Sequence, residues 1–248
     1  AADAPGPRGF LPLPAPRAVR VPAARPFLVA EIKRASPSRG VMAAALNPTA
    51  QARLYAENGA AAISILTDEH FFRGSADTLA AVRRTPLAGP AGATVPLLRK
   101  DFLLAPAQMH QTRALGADAA LLIVAALSDG ALLDLHALAL ELGLAPLVEA
   151  HNEFELERAL QVPGLRYMGI NNRDLATFEV SPETTRRLAP LVPPGVCLVA
   201  ESGIFTADDA RAAGDAGADA VLVGEALVTA ADPAAKTREL AQMEGQPA

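Results

Sequence analysis

A chain of 248 residues with 51% hydrophobic and 20% charged side chains can bury a sizeable core, which excludes a disordered or low-complexity polypeptide. Its net charge of -5, with no basic block, excludes nucleic acid as the main partner. The longest apolar run, Ala119 to Leu127, is too short to span a bilayer, so no membrane is expected, and the lone Cys197 fits a reducing, cytoplasmic setting. Cys197 sits in an apolar run and reads as buried filler, while His70, His110, His136 and His151 are scattered without metal-ligand spacing.

Residues 1–26 contain Pro5, Pro7, Pro12, Pro14, Pro16, Pro22 and Pro26, which prevent a long helix and predict an extended or loosely docked arm. From Phe27 the pattern alternates. Buried strands are predicted at Phe27–Lys33, Ala61–Thr67, Val95–Asp101, Ala119–Val124, Ala145–Glu149, Arg166–Asn172, Val196–Ser202 and Asp219–Gly224. Helices fill the gaps at Pro48–Asn58, Ser75–Arg84, Pro106–Leu115, Ser128–Leu142, Asn152–Leu160, Pro182–Ala189, Thr206–Ala216 and Pro233–Met243. The segments Leu115 to Ala119 and Ala216 to Ala220 repeat one helix-to-strand turn. Eight β–α units imply a single (β/α)8 TIM barrel over 27–248, an α/β fold with the proline-rich arm in front of it. The competing open doubly wound sheet lacks a Gly-x-Gly-x-x-Gly after the first strand.

In such a barrel the chemistry collects where the strands end. Strand 1 ends in Glu31 and Lys33, which share one side of a strand. Strand 3 ends in Lys100-Asp101, strand 5 in Glu149, strand 6 in Asn171-Asn172-Arg173 and strand 7 in Glu201-Ser202-Gly203. Some of these polar ends must face outward as caps or salt-bridge partners, and Asp68, Asp101, Asp174 and Glu201 are the candidates for that role. The remaining acids, lysines, amide and arginine form a catalytic mouth, with Lys100 and Glu149 expected to project into a solvated mouth. Gly203 on strand 7 and Gly224-Glu225 on strand 8 occupy the loops that hold phosphate in this fold, with a short helix expected over Glu225–Thr229.

These motifs resemble the indole-3-glycerol phosphate synthase family, in the order Ala30 to Ser38, Leu66-Thr67-Asp68, Phe72 to Ser75, Leu98 to Phe102, Leu147 to Glu149, Gly169 to Leu175, Ala200 to Ile204 and Val221 to Glu225. The resemblance implies a ribulose-phosphate-binding barrel without metal or organic cofactor. It would be a cytoplasmic monomer with a phosphorylated small-molecule substrate, open to association with enzymes of its pathway. By resemblance Lys100 is the general acid at the ketone and Glu149 the general base, Lys33 contacts substrate anions or gives a proton to the leaving hydroxyl, and Glu31 and Asn171 orient the reacting groups; the motif leaves open which lysine serves which proton transfer. Ser36 and Arg173 line the site, Phe72, Phe102, Leu121, Leu175 and Phe178 form the apolar wall around the substrate ring, and Ser202, Gly203, Gly224 and Glu225 take the phosphate. Three features depart from the family: the proline-rich arm stands where a helical extension usually packs near the mouth, Trp is absent, and Leu87 to Thr94 reads as an inserted loop. Phosphoribosylanthranilate isomerase fits less well, because its chemistry typically uses a cysteine and an aspartate, and Cys197 lies inside strand 7. A non-catalytic barrel is disfavoured by the joint presence of Glu31, Lys33, Lys100, Glu149 and Asn171.

Overall fold

The structure, a computed structural model, describes residues 6–12, 22–23 and 25–242. Eight parallel strands close into a barrel: β1 (Phe27–Ile32), β2 (Ala62–Leu66), β3 (Leu97–Lys100), β4 (Ala119–Ile123), β5 (Ala145–Ala150), β6 (Tyr167–Asn171), β7 (Cys197–Glu201) and β8 (Ala220–Val223). Closure is made by β8 pairing with β1, from Phe27 opposite Ala220 to Ala30 opposite Val223. Around it lie α1 (Pro48–Glu57), α2 (Ala76–Arg84), α3 (Pro106–Ala114), α4 (Asp129–Glu141), α5 (Glu153–Ala159), α6 (Glu183–Leu188), α7 (Ala207–Asp215), α8 (Glu225–Val228) and α9 (Pro233–Leu240). Most boundaries fall within a residue or two of those the pattern predicts, and α9 stops earlier, at Leu240. Met243 lies outside the described residues.

Side-chain alternation divides the sheet into two apolar layers. Outward residues such as Leu28, Ile63, Ile65, Leu122 and Leu198 join the helices in the larger core. Inward residues, among them Val29, Leu98, Leu121, Leu147, Val199 and Leu222, fill the barrel centre. Burying each large side chain contributes about 1.5–3 kcal/mol, so both layers stabilise closure. Side-chain caps then start the helices: Asn47 accepts from Thr49 and Ala50 N–H, Ser75 from Thr78, Asn152 from Glu155 and Thr206 from Asp209. In the repeated turns, Asp118 Oδ2 accepts the Leu97 N–H at 2.8 Å and Asp219 Oδ2 the Leu198 N–H at 2.8 Å. Each carboxylate thereby fastens the start of the preceding strand. The segment Leu87 to Thr94 closes on itself through a bridge between Ala88 and Thr94 and a 3₁₀ turn at Pro90–Gly92.

One described stretch of the arm, residues 6–12, docks at the N-terminal ends of the strands, opposite the end that carries Lys100 and Glu149. Arg8 forks onto the fully buried Asp118 at 2.9 Å, where Arg83 also pairs at 3.2 Å. Leu11 is buried in the inner barrel layer, and its carbonyl accepts from the Tyr167 hydroxyl at 2.8 Å. Phe10 meets the same Tyr167 ring edge-on at 5.3 Å. Residues 6–12 are thus firmly docked where a loosely docked arm was the alternative to an extended one, and they sit away from the mouth. Residues 1–5, 13–21 and 24 of the arm lie outside the described residues.

Candidate active site

Every second residue of a strand faces the barrel axis, so parity selects the mouth. Lys100 follows inward Leu98, Glu149 follows inward Leu147, and Glu201 follows inward Val199. Lys100 Nζ lies 3.1 Å from Glu149 Oε2 and makes a second, shorter ion pair with Glu201 Oε2. Asn171 Nδ2 donates to Glu149 Oε1 at 3.3 Å, and Asn171 Oδ1 accepts from Ser202 Oγ at 2.9 Å and from the Arg173 N–H at 3.0 Å. Across the mouth, Glu31 Oε2 pairs with Lys33 Nζ at 2.9 Å. The catalytic candidates Glu31, Lys33, Lys100, Glu149 and Asn171 therefore share one end of the barrel.

Two expectations are corrected here. Glu201 is not an outward partner: it points inward onto Lys100, in the space left by Gly169, where a Cβ would sit 2.5 Å from Glu201 Oε1. Lys100 and Glu149 also do not stand in solvent, since their side chains are only 16% and 3% exposed. Burial would lower the Lys100 pKa, but Glu149, Glu201 and Glu31 outweigh it and hold the ammonium well above the usual lysine range. Burial would likewise raise Glu149, yet Lys100 and His151 pull it well below the usual carboxylate range. Glu201 has only Lys100 to offset burial and the Glu149 charge, so its carboxyl is raised to about 8.

Sequence reasoning also passed over His151, two residues beyond Glu149. Its Nε2 lies 3.2 Å from Glu149 Oε1 and its Nδ1 2.8 Å from Glu155 Oε2. The signal was the same strand parity that marks Glu149, hidden because His151 lies just past the end of β5. Asp68, Asp101 and Asp174 hold loops: Asp68 accepts from the Phe71 and Phe72 N–H groups, Asp101 pairs with Arg99, and Asp174 accepts from the Ala176 and Thr177 N–H groups.

The substrate-lining candidates are spread. Phe102 is exposed, and the ring meeting its edge is Phe71 at 6.4 Å, not Phe72. Phe72 is half-buried beside Ile32, Lys33 and Leu66. Leu121 is buried in the barrel centre, with Ile123 above it, paired to Glu149 in the sheet. Leu175 and Phe178 are exposed on the loop after β6, where Arg173 Nη1 donates to the Phe178 carbonyl at 3.1 Å. Ser36 lies half-buried in a two-strand hairpin with Gly40.

Ser202 and Gly203 both take positive φ, 66° and 78°, turning the chain sharply off β7. Asn172 braces that turn by donating to the Ser202 carbonyl at 3.0 Å, and it accepts from the Thr185 N–H at the start of α6. Gly224 begins α8, and a Cβ there would overlap the Glu31 carboxylate and Lys33. Its lack of a side chain thus leaves room for the Glu31–Lys33 pair. The Glu225 carboxylate pairs with Arg39 at 2.7 Å, so only its backbone N–H can face a phosphate.

A sequence model of the family described as indole-3-glycerol phosphate synthase matches residues 14–240. The indole-3-glycerol phosphate synthase of Roseiflexus castenholzii is 55% identical over 215 residues, 86% of this chain and 79% of that one. That of Dehalococcoides mccartyi is 47% identical over 228 residues, 92% of this chain and 86% of that one. Among solved structures, a 3-hexulose-6-phosphate synthase superposes with a TM-score of 0.64 at 17% identity, covering 87% of this chain and 98% of that one. A thiamine phosphate pyrophosphorylase from Pyrococcus furiosus gives 0.62 at 20% identity, covering 88% and 95%. These two likenesses show the shared barrel alone. With a family match over most of its length and relatives about half identical to it, the chain belongs to the indole-3-glycerol phosphate synthase family, carboxy-lyases of tryptophan biosynthesis that act on a phosphorylated substrate.

Proposed function

We propose that Lys100 and Glu149 are the acid and the base of the family's reaction, which turns 1-(2-carboxyphenylamino)-1-deoxyribulose 5-phosphate into indole-3-glycerol phosphate, carbon dioxide and water. The observation that carries this reading is the contact between Lys100 Nζ and Glu149 Oε2 at 3.1 Å, inside the catalytic end of the barrel. In the first step the aromatic carbon bearing the carboxylate attacks the ketone carbon, and the ketone oxygen takes a proton. The ionised Glu149 beside it keeps Lys100 protonated until substrate arrives, which is the state an acid at that oxygen requires. The carbon–carboxylate bond then breaks, and its electron pair restores the aromatic ring. In the last step the hydroxyl takes a proton from the Lys33 ammonium and leaves as water, while a proton on the new five-membered ring goes to a base, which is the role of an ionised Glu149.

Lys33, paired with Glu31, offers an ammonium to the substrate anions, and Asn171 holds Glu149 Oε1. The backbone at Ser202, Gly203, Gly224 and Glu225 takes the phosphate, and the Phe71–Phe102 edge supplies an apolar wall for the anthranilate ring. We read the enzyme as a cytoplasmic monomer able to associate with other enzymes of its pathway; a mouth complete within one chain supports the first part. No helix among the described residues is long and apolar enough to cross a membrane.

Lys100→Ala and Glu149→Gln are each expected to lower kcat by about 10²-fold or more, with the far-ultraviolet circular dichroism of the barrel retained. The rise of indole fluorescence at saturating substrate measures it. Near-normal kcat in either variant removes that residue from its role.

A further inference from the structure

His151 lies in the turn from β5 to α5, with its side chain buried between two carboxylates. Glu155 is fixed first. Its Oε2 accepts from the His151 backbone N–H at 2.9 Å, its Oε1 from Asn152 Nδ2 at 2.8 Å, and its N–H is capped by Asn152 Oδ1 at 2.9 Å. The same Oε2 then takes His151 Nδ1 at 2.8 Å, which sets the ring's orientation. The other ring nitrogen is left against Glu149 Oε1 at 3.2 Å, off the line of a straight hydrogen bond, so this contact is one of charge.

A neutral imidazole has one N–H and one lone pair. Placed between two ionised carboxylates, which only accept, it would turn that lone pair on one of them. Protonating both nitrogens removes the conflict. Burial opposes the charged ring, but Glu149 and Glu155 outweigh it and raise His151 to about 10. The groups facing this pair are Lys100 from β3, Asn171 from β6, Glu201 from β7 and Glu155 with Asn152 at α5, with Asp174 in electrostatic reach from the loop after β6.

We propose that His151 is a positioning residue for the dehydration step: an imidazolium clamped on Glu155 that holds Glu149 ionised and steers its Oε2 toward Lys100 and the substrate. The proposal rests on Glu149 being the base. Its physical content is asymmetry. Glu149 and Glu201 both lie on Lys100, whose single charge cannot hold both ionised at equal cost, and only Glu149 has a second cation beside it. That cation sends the proton to Glu201. Without it the two carboxyls compete on closer terms, and part of the protein carries the proton on its base.

The test is the pH dependence of kcat for His151→Gln and His151→Phe in the full chain. Both remove the charge, and Gln retains a donor. The expected result is a new acid limb near neutrality, with kcat falling about fivefold or more from about pH 9 to about pH 6.5 and largely recovering at the alkaline end. A merely structural role would lower kcat evenly across that range, and an unmoved profile or an even loss overturns the proposal. In a Glu149→Gln background, His151→Gln should add no further loss, because its effect runs through Glu149; an added loss of about tenfold also overturns it. A separate readout is the imidazole nitrogen shift of His151 in the intact protein near pH 8, assigned by its disappearance in His151→Gln. An imidazolium supports the proposal and a neutral ring defeats it. If Glu149→Gln itself keeps normal kcat, the base assignment has failed, which is distinct from a true base whose profile ignores His151.

Discussion

Glu31, Glu149 and Glu201 crowd around Lys100 in the deepest layer of the mouth, and they cannot all be ionised at equal cost. Glu201 carries the penalty, since one of its oxygens is buried without a partner and its neighbour is another carboxylate. Its pKa of about 8 in the folded chain stands above the ordinary 4.5. Between those values the native state binds more protons than the unfolded chain, so this group's contribution makes stability fall as pH rises from about 4.5 through about 8. Glu201→Gln cannot titrate, and its urea midpoint should decline less than that of the parent between about pH 5 and about pH 8. Parallel pH dependences in the two proteins would show that Glu201 holds no proton there. At this scale the sequence was only partly readable. Glu149 stood out as the lone acid ending its strand, whereas Glu201 sat in a run of polar residues whose facing depends on the strand's parity. A strand buried on both faces shows no alternation to set that parity; only the inward placement of Cys197 and Val199 reveals it.

At the scale of elements, strands and helices were read nearly to their ends, because apolar runs, glycine stops and side-chain caps are local signals. The arm was misread because its partners are remote. Proline density correctly denies a long helix, yet nothing local announces that Arg8 meets Asp118 or that Leu11 enters the barrel floor. Leu11→Ala should therefore cost about 2 kcal/mol or somewhat more, because it empties a buried position in the inner barrel layer. Chemical denaturation measures that loss. The same variant should leave both kcat and KM unchanged, because residues 6–12 dock at the far end from Lys100 and Glu149. A raised KM in Leu11→Ala with normal stability would place the arm back at the mouth.

For the whole molecule, the closed barrel turns strand order into chemistry. Residues far apart in the chain, Glu31, Lys100, Glu149, Asn171 and Glu201, meet only because β1, β3, β5, β6 and β7 end on one face. The alternating pattern made that convergence predictable, and the ordered motifs made the family recognisable. The charge states were not predictable, since they depend on burial and on distances of a few ångströms. The division of labour between Lys100 and Glu149 is tested most directly by resolving the steps in a single turnover, following carbon dioxide release and indole fluorescence together. If Lys100 serves ring closure and Glu149 serves dehydration, Lys100→Ala slows both signals equally, while Glu149→Gln releases carbon dioxide well ahead of indole. Carbon dioxide and indole appearing together in Glu149→Gln, or carbon dioxide released at the parent rate in Lys100→Ala, would contradict that assignment.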